Sequence, residues 1–253
     1  MVSEKIELLG KGLYKTIPNV ITIKAIPTAS ELDYVSAEDF EATMLDKIFP
    51  KAIEEQGCNW RELLEIDFHW ICRCLRITNY GPYYNVNTLF CENCATAHRG
   101  DFLVDLRAVE CLPLPEGFKN SIKIPKESFL DFDKDITLHV PTIQETLNAE
   151  KDKAFNEDQQ EFARICYMIT AIGSDNSMTP FEKKGYIQNH MSSADYIILK
   201  DEVNNVTNYG LRAGGRCTCP KCQSPAGSFM AFVNDRYFRV TVDALRKWRN
   251  DRD

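Results

Sequence analysis

The sequence lacks the motifs that mark common nucleotide-binding and hydrolytic sites. It contains no G-x-x-x-x-G-K-[ST] loop, no G-x-G-x-x-G turn, no H-E-x-x-H pair and no G-x-S-x-G elbow. Histidine is scarce, and its four positions are scattered along the chain: His69, His98, His139 and His190. Asp67 and Asp195 could form a catalytic carboxylate pair, but no nucleophile or base accompanies them. We therefore predict that the protein is not an enzyme and that each aspartate accepts hydrogen bonds from backbone groups or arginine.

Long apolar runs are also missing from the sequence. No run approaches the length needed to span a bilayer, and the first twenty residues lack the continuous hydrophobic segment of a signal peptide. We expect a cytoplasmic protein whose thiols stay reduced and available to metal. The net charge of −7 disfavours binding to phosphate, which needs clustered lysine and arginine. We predict no nucleic-acid, membrane or small-molecule partner.

Cysteine, in contrast, is plentiful, and four of the ten cysteines form two C-x-x-C pairs. These are Cys91 with Cys94 and Cys219 with Cys222, and 124 residues lie between Cys94 and Cys219. Each pair places two thiolates on one tight turn, and two facing turns complete the tetrahedron that zinc prefers. We predict one structural Zn²⁺ bound by these four residues. A structural site of this kind has no open position for water, so it does not support hydrolysis.

Other ligand assignments stay open at this point. Cys217 stands two residues before Cys219 and is a rival ligand, and His98 could substitute from four residues after Cys94. The cysteines could also be small buried hydrophobic residues without metal. We assign Cys72 and Cys74 to packing, because a C-x-C pair on a helix points its thiols about 200° apart.

An internal repeat connects the two cysteine pairs. The segment ending in Asn79-Tyr80-Gly81 precedes the first pair, and a matching segment ending in Asn208-Tyr209-Gly210 precedes the second. An acid followed by an aromatic residue stands upstream of each segment at nearly the same offset, at Asp67 and Asp195. The repetition predicts pseudo-symmetric halves, residues 1–148 and 149–253, whose cysteine turns meet across one ion. We expect the halves to interleave in one domain, with residues 149–160 as the linker.

The predicted fold class is α+β, with helical bundle segments, small antiparallel sheets and a zinc-ribbon-like site that joins the halves. Residues 20–26 read as a strand, residues 1–19 as a loose arm, and Ser36 with Asp39 as the start of a helix that Pro50 kinks or ends. Thr142 is predicted to begin a polar helix, and Thr179 with Pro180 and Glu182 to begin another. Apolar spacing predicts a helix from residue 162 to 172, ended by Gly173. Residues 229–233 and 237–240 are expected to form a hairpin before a short final helix.

Taken in order, these motifs resemble the T4-type baseplate hub and hub-assembly protein family of contractile-tailed bacteriophages. The resemblance covers most of the chain. It rests on the order of several motifs. A helix with an acid and arginines comes first, followed by an aromatic-glycine corner and a C-x-x-C pair. A proline-bearing strand, a second cysteine pair and an aromatic-Phe-Arg element come after them. In this sequence the motifs are Asp67, Arg73, Arg76, Tyr80-Gly81, residues 136–142 and Tyr237-Phe238-Arg239.

The resemblance implies a non-enzymatic virion or assembly protein that docks on the central hub of a phage baseplate or helps to assemble it. Its partners would be hub or tail proteins, in the host cytoplasm during assembly or in the tail baseplate of the virion. The alternative from another class is a zinc-ribbon adaptor that binds nucleic acid or a transcription complex, which the acidic charge disfavours. A metal-dependent enzyme is a third hypothesis, and the lack of an open metal position or a general base disfavours it.

Overall fold

Helices and antiparallel strands alternate along the chain, in agreement with the predicted α+β class. The structure, a computed structural model, describes residues 3–27, 30, 33, 39–225, 227–231 and 233–251. The strands within these ranges are β1 (Ser3–Glu7), β2 (Val20–Lys24), β3 (Tyr83–Cys91), β4 (Thr96–Asp105), β5 (Val109–Leu112), β6 (Ile122–Ile124), β7 (Ile136–Leu138), β8 (Ile169–Ile172), β9 (Gly210–Cys217) and β10 (Gly227–Met230). The α-helices are α1 (Phe40–Thr43), α2 (Phe49–Ala52), α3 (Glu65–Tyr80), α4 (Ile143–Lys151), α5 (Gln160–Met168), α6 (Pro180–His190), α7 (Ser193–Thr207) and α8 (Val242–Asn250).

The largest sheet has five strands in the order β4-β3-β10-β9-β5, and every neighbouring pair is antiparallel. Two hairpins, β3-β4 and β9-β10, therefore lie side by side although they come from distant parts of the sequence. Glycine allows the closest approach within this sheet: a Cβ on Gly214 would lie 2.2 Å from the Phe229 carbonyl oxygen. Helix α3 packs against the sheet through Ile66, which meets Gly210.

Residues Ser3–Glu7 of the predicted loose arm form a strand. β1 pairs with β2 in register from Ser3 opposite Lys24 to Glu7 opposite Val20. Ile6, Leu8 and Ile17 are buried in the main apolar core. Burial of these apolar side chains explains the order of a segment whose glycines and proline suggest a loop.

The helix that begins at residue 40 adapts to Pro50 without ending there. Ser36 lies outside the described residues, and Asp39 caps α1 by accepting a hydrogen bond from the Ala42 N–H at 2.9 Å. A π-helical turn, Met44–Ile48, connects α1 to α2. Pro50 stands in the first turn of α2, where its missing N–H is tolerated. Proline thus changes the helical hydrogen-bond pattern, and the chain stays helical to Ala52.

A second sheet has the order β6-β7-β8 and lies in its own apolar cluster. Its third strand corrects the predicted helix over residues 162–172, because α5 ends at Met168 and Ile169–Ile172 pairs with β7. Gly173, with a φ of +62°, turns the chain after the strand and not after a helix. The predicted starts at Thr142 and Thr179 are confirmed, since both residues form complete capping boxes with the glutamate three positions on.

The predicted C-terminal hairpin is wrong. Met230 ends β10, whose partners are β3 and β9, and residues Asp235–Phe238 form a 3₁₀ turn where the second hairpin strand was expected. Phe232 lies outside the described residues. The final helix is confirmed as α8. Its Trp248 ring packs against Gly81, where an added Cβ would lie 2.3 Å from a ring carbon.

Elements from the two predicted halves are intermixed. The boundary between residues 148 and 149 falls inside α4, and Ala149 and Phe155 of the predicted linker are buried. The five-stranded sheet takes β3, β4 and β5 from one side of this boundary and β9 and β10 from the other. Across the described part of the chain, none of the helices combines the length and the apolar character needed to cross a bilayer.

Candidate metal centre

Two turns meet at one end of the five-stranded sheet. Cys91 ends β3 and the chain returns as β4, while Cys219 and Cys222 lie in the turn from β9 to β10. Gly227 at the start of β10 pairs with Cys91 at the end of β3. This register places both cysteine turns at the same end of the sheet. The pairing of β3 with β10 therefore brings together thiols that are far apart in sequence.

Each of the two turns contains a residue in the left-handed backbone conformation, which glycine or asparagine usually adopts. The residue that follows each second cysteine has a positive φ: +48° at Ala95 and +57° at Gln223. Left-handed conformations are uncommon for such residues and require support from the surrounding structure. In the second turn, the Gln223 N–H donates to the Cys219 carbonyl at 3.0 Å, and the Cys219 N–H donates to the Ser224 carbonyl at 2.8 Å.

The four predicted thiols lie within 4.8 Å of one another. The Cys91 and Cys222 sulfurs are 3.7 Å apart, and the Cys94 and Cys219 sulfurs are 4.0 Å apart. A tetrahedral zinc with metal–sulfur bonds of about 2.3 Å requires sulfur separations of about 3.8 Å. Both sulfur separations lie close to this value, and the four sulfurs come from two facing turns, so the donor set fits a tetrahedral metal.

Polar groups around the sulfurs favour thiolate. The Asn93 side-chain amide lies 3.6 Å from the Cys222 sulfur and lowers the pKa of that thiol to about 6. The Thr96 side chain lowers the pKa of Cys94. At Cys91 the Cys94 N–H lowers the pKa, but burial and the neighbouring thiols outweigh it and raise the pKa to about 11. Lowered pKa values favour the thiolate form of Cys222 and Cys94, whereas Cys91 would lose its proton when a metal binds.

His98 contacts the cluster from β4 as a neighbour of its sulfurs. Its Nε2 lies 3.3 Å from the Cys219 sulfur and 3.9 Å from the Cys94 sulfur. The four thiols already complete a tetrahedral set, so this ring fits a donor to thiolate and not a fifth ligand. His98 was an alternative ligand on the basis of its position four residues after Cys94, and the structure places it beside the four thiols instead. Nothing in the sequence pattern singled out Asn93.

The remaining cysteines stay outside the cluster. Cys217 lies at the end of β9 and is not a member of the four-thiol group, so it does not replace a predicted ligand. Cys72 and Cys74 are buried in α3 and contribute to the apolar core, as predicted. Burial raises the pKa of Cys74 to about 12, which keeps that thiol protonated and unreactive.

Asp67 is fully buried, and its side-chain hydrogen bonds within the described residues come from donors of the N-terminal segment. Its carboxylate accepts the N–H of Leu9 at 2.6 Å, the N–H of Gly10 at 2.9 Å and the hydroxyl of Tyr14. Burial raises the pKa of Asp67, and these hydrogen bonds oppose that rise. The arrangement ties α3 to the loop after β1.

Asp195 is the other aspartate that the sequence repeat singles out. It accepts the N–H of Leu130 at 2.6 Å, the N–H of Phe132 at 3.1 Å and the Ser192 hydroxyl at 2.9 Å. Burial opposes ionisation, but these donors outweigh it and lower the pKa of Asp195. Both aspartates therefore accept backbone hydrogen bonds, as predicted, and the backbone donors come from separate parts of the chain.

Arg76 is fully buried and connects three segments through their carbonyl oxygens. It donates to Tyr237 at 2.9 Å, to Gly81 at 2.6 Å and to Tyr83 at 2.8 Å. The Arg76 side chain thus holds the corner after α3, the start of β3 and the segment before α8. Two of the motifs that carry the family resemblance meet at this residue.

No protein-family model, no curated protein and no solved structure matches this chain.

Proposed function

We propose that Cys91, Cys94, Cys219 and Cys222 bind one structural Zn²⁺ and that this ion joins the two hairpins as a zinc ribbon. The observation that supports the proposal is the pair of sulfur separations, 3.7 Å and 4.0 Å, which match a tetrahedral zinc–thiolate site. Four thiolates leave no coordination position for water, so the ion stabilises the fold and does not activate a nucleophile.

The zinc joins two pseudo-repeated halves in this proposal. Asp67 and Asp195 are each the third residue of their helices, α3 and α7. The glycines after these helices have similar φ values, +76° at Gly81 and +86° at Gly210. A strand and a cysteine turn with a left-handed residue follow each glycine. A duplicated helix, corner, strand and turn would place its two turns face to face around one shared ion.

The protein is, in this proposal, a non-enzymatic structural or assembly protein of a contractile phage tail that docks on the baseplate hub. The resemblance of its motifs to the hub family is the support, together with the contact of the Arg76 guanidinium with the corner at Gly81 and with Tyr237. All-thiolate zinc and aspartates committed to backbone hydrogen bonds are consistent with a structural role.

Protein purified without added metal is expected to contain one zinc ion per chain. The site has four thiolates, and such sites bind zinc with apparent free energies of about 10–16 kcal/mol, so the ion should survive purification. Elemental analysis against the protein concentration measures the ratio. A ratio near zero or near two would contradict a single shared site.

A zinc-ribbon adaptor for nucleic acid is the second candidate, and one surface favours it. Phe90 and Met230 are 46% and 57% exposed on one face of the five-stranded sheet. Register places Phe90 beside Ser228 and Ser228 beside Arg216, which is also exposed. Aromatic and arginine side chains on a sheet face are common in single-strand binding proteins. The net charge of −7 opposes this function.

An affinity-tagged chain, produced during infection, is expected to recover baseplate hub or tail proteins and no nucleic acid. A stable contact with a folded partner buries on the order of 1,000 Å² or more, so the complex should survive washing at about 0.15 M salt. Mass spectrometry identifies the proteins, and fluorescence anisotropy measures binding to random single-stranded oligonucleotides. Submicromolar, salt-sensitive binding that Arg216→Glu abolishes would favour the adaptor instead.

A further inference from the structure

The edge of β1 away from β2 offers the backbone groups of Lys5 to another strand, whereas the Glu7 carbonyl on the same edge already accepts a hydrogen bond from Trp70. Lys5 lies opposite Thr22 of β2. The Thr22 N–H donates to the Glu55 carboxylate at 2.9 Å, and its carbonyl accepts the Glu54 N–H at 3.0 Å, so both groups point away from β1. Opposite residues of an antiparallel pair either both bond each other or both point outward. The N–H and carbonyl of Lys5 therefore point away from β2, and within the described residues β2 is the only strand paired with β1.

The free edge faces a cavity with a volume of about 950 Å³. One wall is residues 4–9 of β1 and its extension, another is the proline-rich loop of residues 113–118, and the floor is helix α3. The floor residues are Trp70, Arg73, Cys74 and Ile77. The Trp70 ring nitrogen donates to the Glu7 carbonyl at 3.0 Å, which places the helix directly beside this edge. We call this cavity the β1 groove.

Arg73 supplies a half-buried positive charge to the β1 groove. Its Nε donates to the Leu106 carbonyl at 3.3 Å, and its guanidinium carbon lies 5.0 Å from the centre of the Trp70 ring. Within the described residues, no carboxylate lies within ion-pair distance of Arg73. The nearby Asp105 forms its ion pair with Arg107, at 2.6 Å. A guanidinium held in this way is suited to bind a carboxylate through two parallel hydrogen bonds.

We propose that the β1 groove binds an extended peptide segment of a partner protein, which adds a strand to the free edge of β1 and places an aspartate or glutamate against Arg73. The backbone groups of Lys5 give the segment its direction, the apolar floor receives alternate side chains, and Arg73 selects an acidic residue. The proposal goes beyond the structural zinc and the phage assignment, because the β1 groove contains none of the four clustered thiols and the peptide chemistry does not depend on the source of the partner.

The test begins with the full-length, zinc-loaded protein and a displayed library of random ten-residue peptides. Bound peptides are expected to share one acidic position among β-branched or aromatic residues. Fluorescence anisotropy then compares a selected peptide with the same peptide in which the acid is replaced by its amide. The amide should bind wild type about tenfold more weakly, whereas Arg73→Gln should bind the two peptides within about twofold of each other. Equal affinities for wild type would overturn the role of Arg73.

Proline at position 5 tests strand addition itself. Lys5→Pro removes the N–H that points into the β1 groove, and proline is tolerated on the outer side of an edge strand. It should weaken peptide binding at least about tenfold, while the matched control Lys5→Ala, which keeps the N–H, should change it by less than about threefold. Hydrogen exchange of the Lys5 amide in wild type should slow when the peptide binds, and this readout requires no variant.

Three results would overturn the proposal. The first is that no peptide is selected. The second is a peptide that binds Lys5→Pro as well as wild type and leaves the Lys5 amide unprotected. The third is a concentration-dependent dimer that Lys5→Pro dissociates, which would assign the β1 groove to a second copy of the chain. Zinc content is measured on the same preparations, so a failure of the metal assignment is recorded separately from a failure of peptide binding.

Discussion

Replacing Cys91 or Cys219 with serine is expected to lower the melting temperature by more than about 10 °C, and by similar amounts. Zinc bound to four thiolates contributes about 10 kcal/mol or more of apparent binding free energy, and a loss of several kcal/mol moves the midpoint of a chain of this size by about 2–4 °C per kcal/mol. The effects should be similar because the Cys91 turn and the Cys219 turn meet at one cluster. Thermal unfolding with and without a chelator measures both variants.

Cys217→Ser is the matched control for these variants. Cys217 lies on the same hairpin as Cys219, two residues away, but is not part of the four-thiol group. It should melt within a few degrees of wild type and keep its full response to the chelator. The shared site would be refuted if Cys91→Ser kept the chelator response and Cys217→Ser lost it, because the second turn would then bind metal without the first.

Replacing Arg76 with methionine is expected to reduce the free energy of unfolding by about 3–5 kcal/mol. Methionine fills much of the volume but donates no hydrogen bond, so the carbonyls of Tyr237, Gly81 and Tyr83 lose a charged donor in a buried position. Urea unfolding at neutral pH measures the loss. Limited proteolysis should cut the variant first near Tyr237, where the segment before α8 loses its attachment to α3.

Arg107→Met provides the comparison for Arg76→Met. Arg107 is 61% exposed and pairs with Asp105, and an exposed ion pair contributes about 0–1 kcal/mol. Its removal should therefore change the unfolding midpoint little. Equal losses for the two variants would show that the buried guanidinium does not hold the three segments together.

The elements predicted correctly from the sequence are those whose cause is local. Thr142 and Thr179 each form a capping box with a residue three positions away, and both helix starts are where the pattern puts them. The chemistry of each cysteine turn is equally local, since ligand spacing within a C-x-x-C pair depends on two intervening residues. The four cysteines that the structure brings together are therefore recognisable in the sequence without knowledge of any tertiary contact.

The errors arise where pairing partners lie far away in sequence. Ile169–Ile172 continues the apolar spacing of α5, but it becomes a strand because β7, more than thirty residues earlier, offers an unpaired edge. The sequence predicted that residues 229–233 pair with the residues after Asn234. In the structure β10 pairs with β3 and β9 instead. The contacts of Asn93 and His98 with the sulfurs likewise depend on the meeting of two hairpins, which local patterns do not encode.

The pairing of β3 with β10 also sets an order of events on the ribosome. Cys94 and Cys219 are 125 residues apart, so at about 5–20 residues per second roughly 6–25 s pass between their syntheses. During that interval the chain can supply only the first two of the four proposed ligands, and the edge of β3 that will receive β10 has no partner. This edge is then the part of the nascent chain most exposed to pairing with a wrong strand, and translation speed between the two hairpins sets how long the exposure lasts.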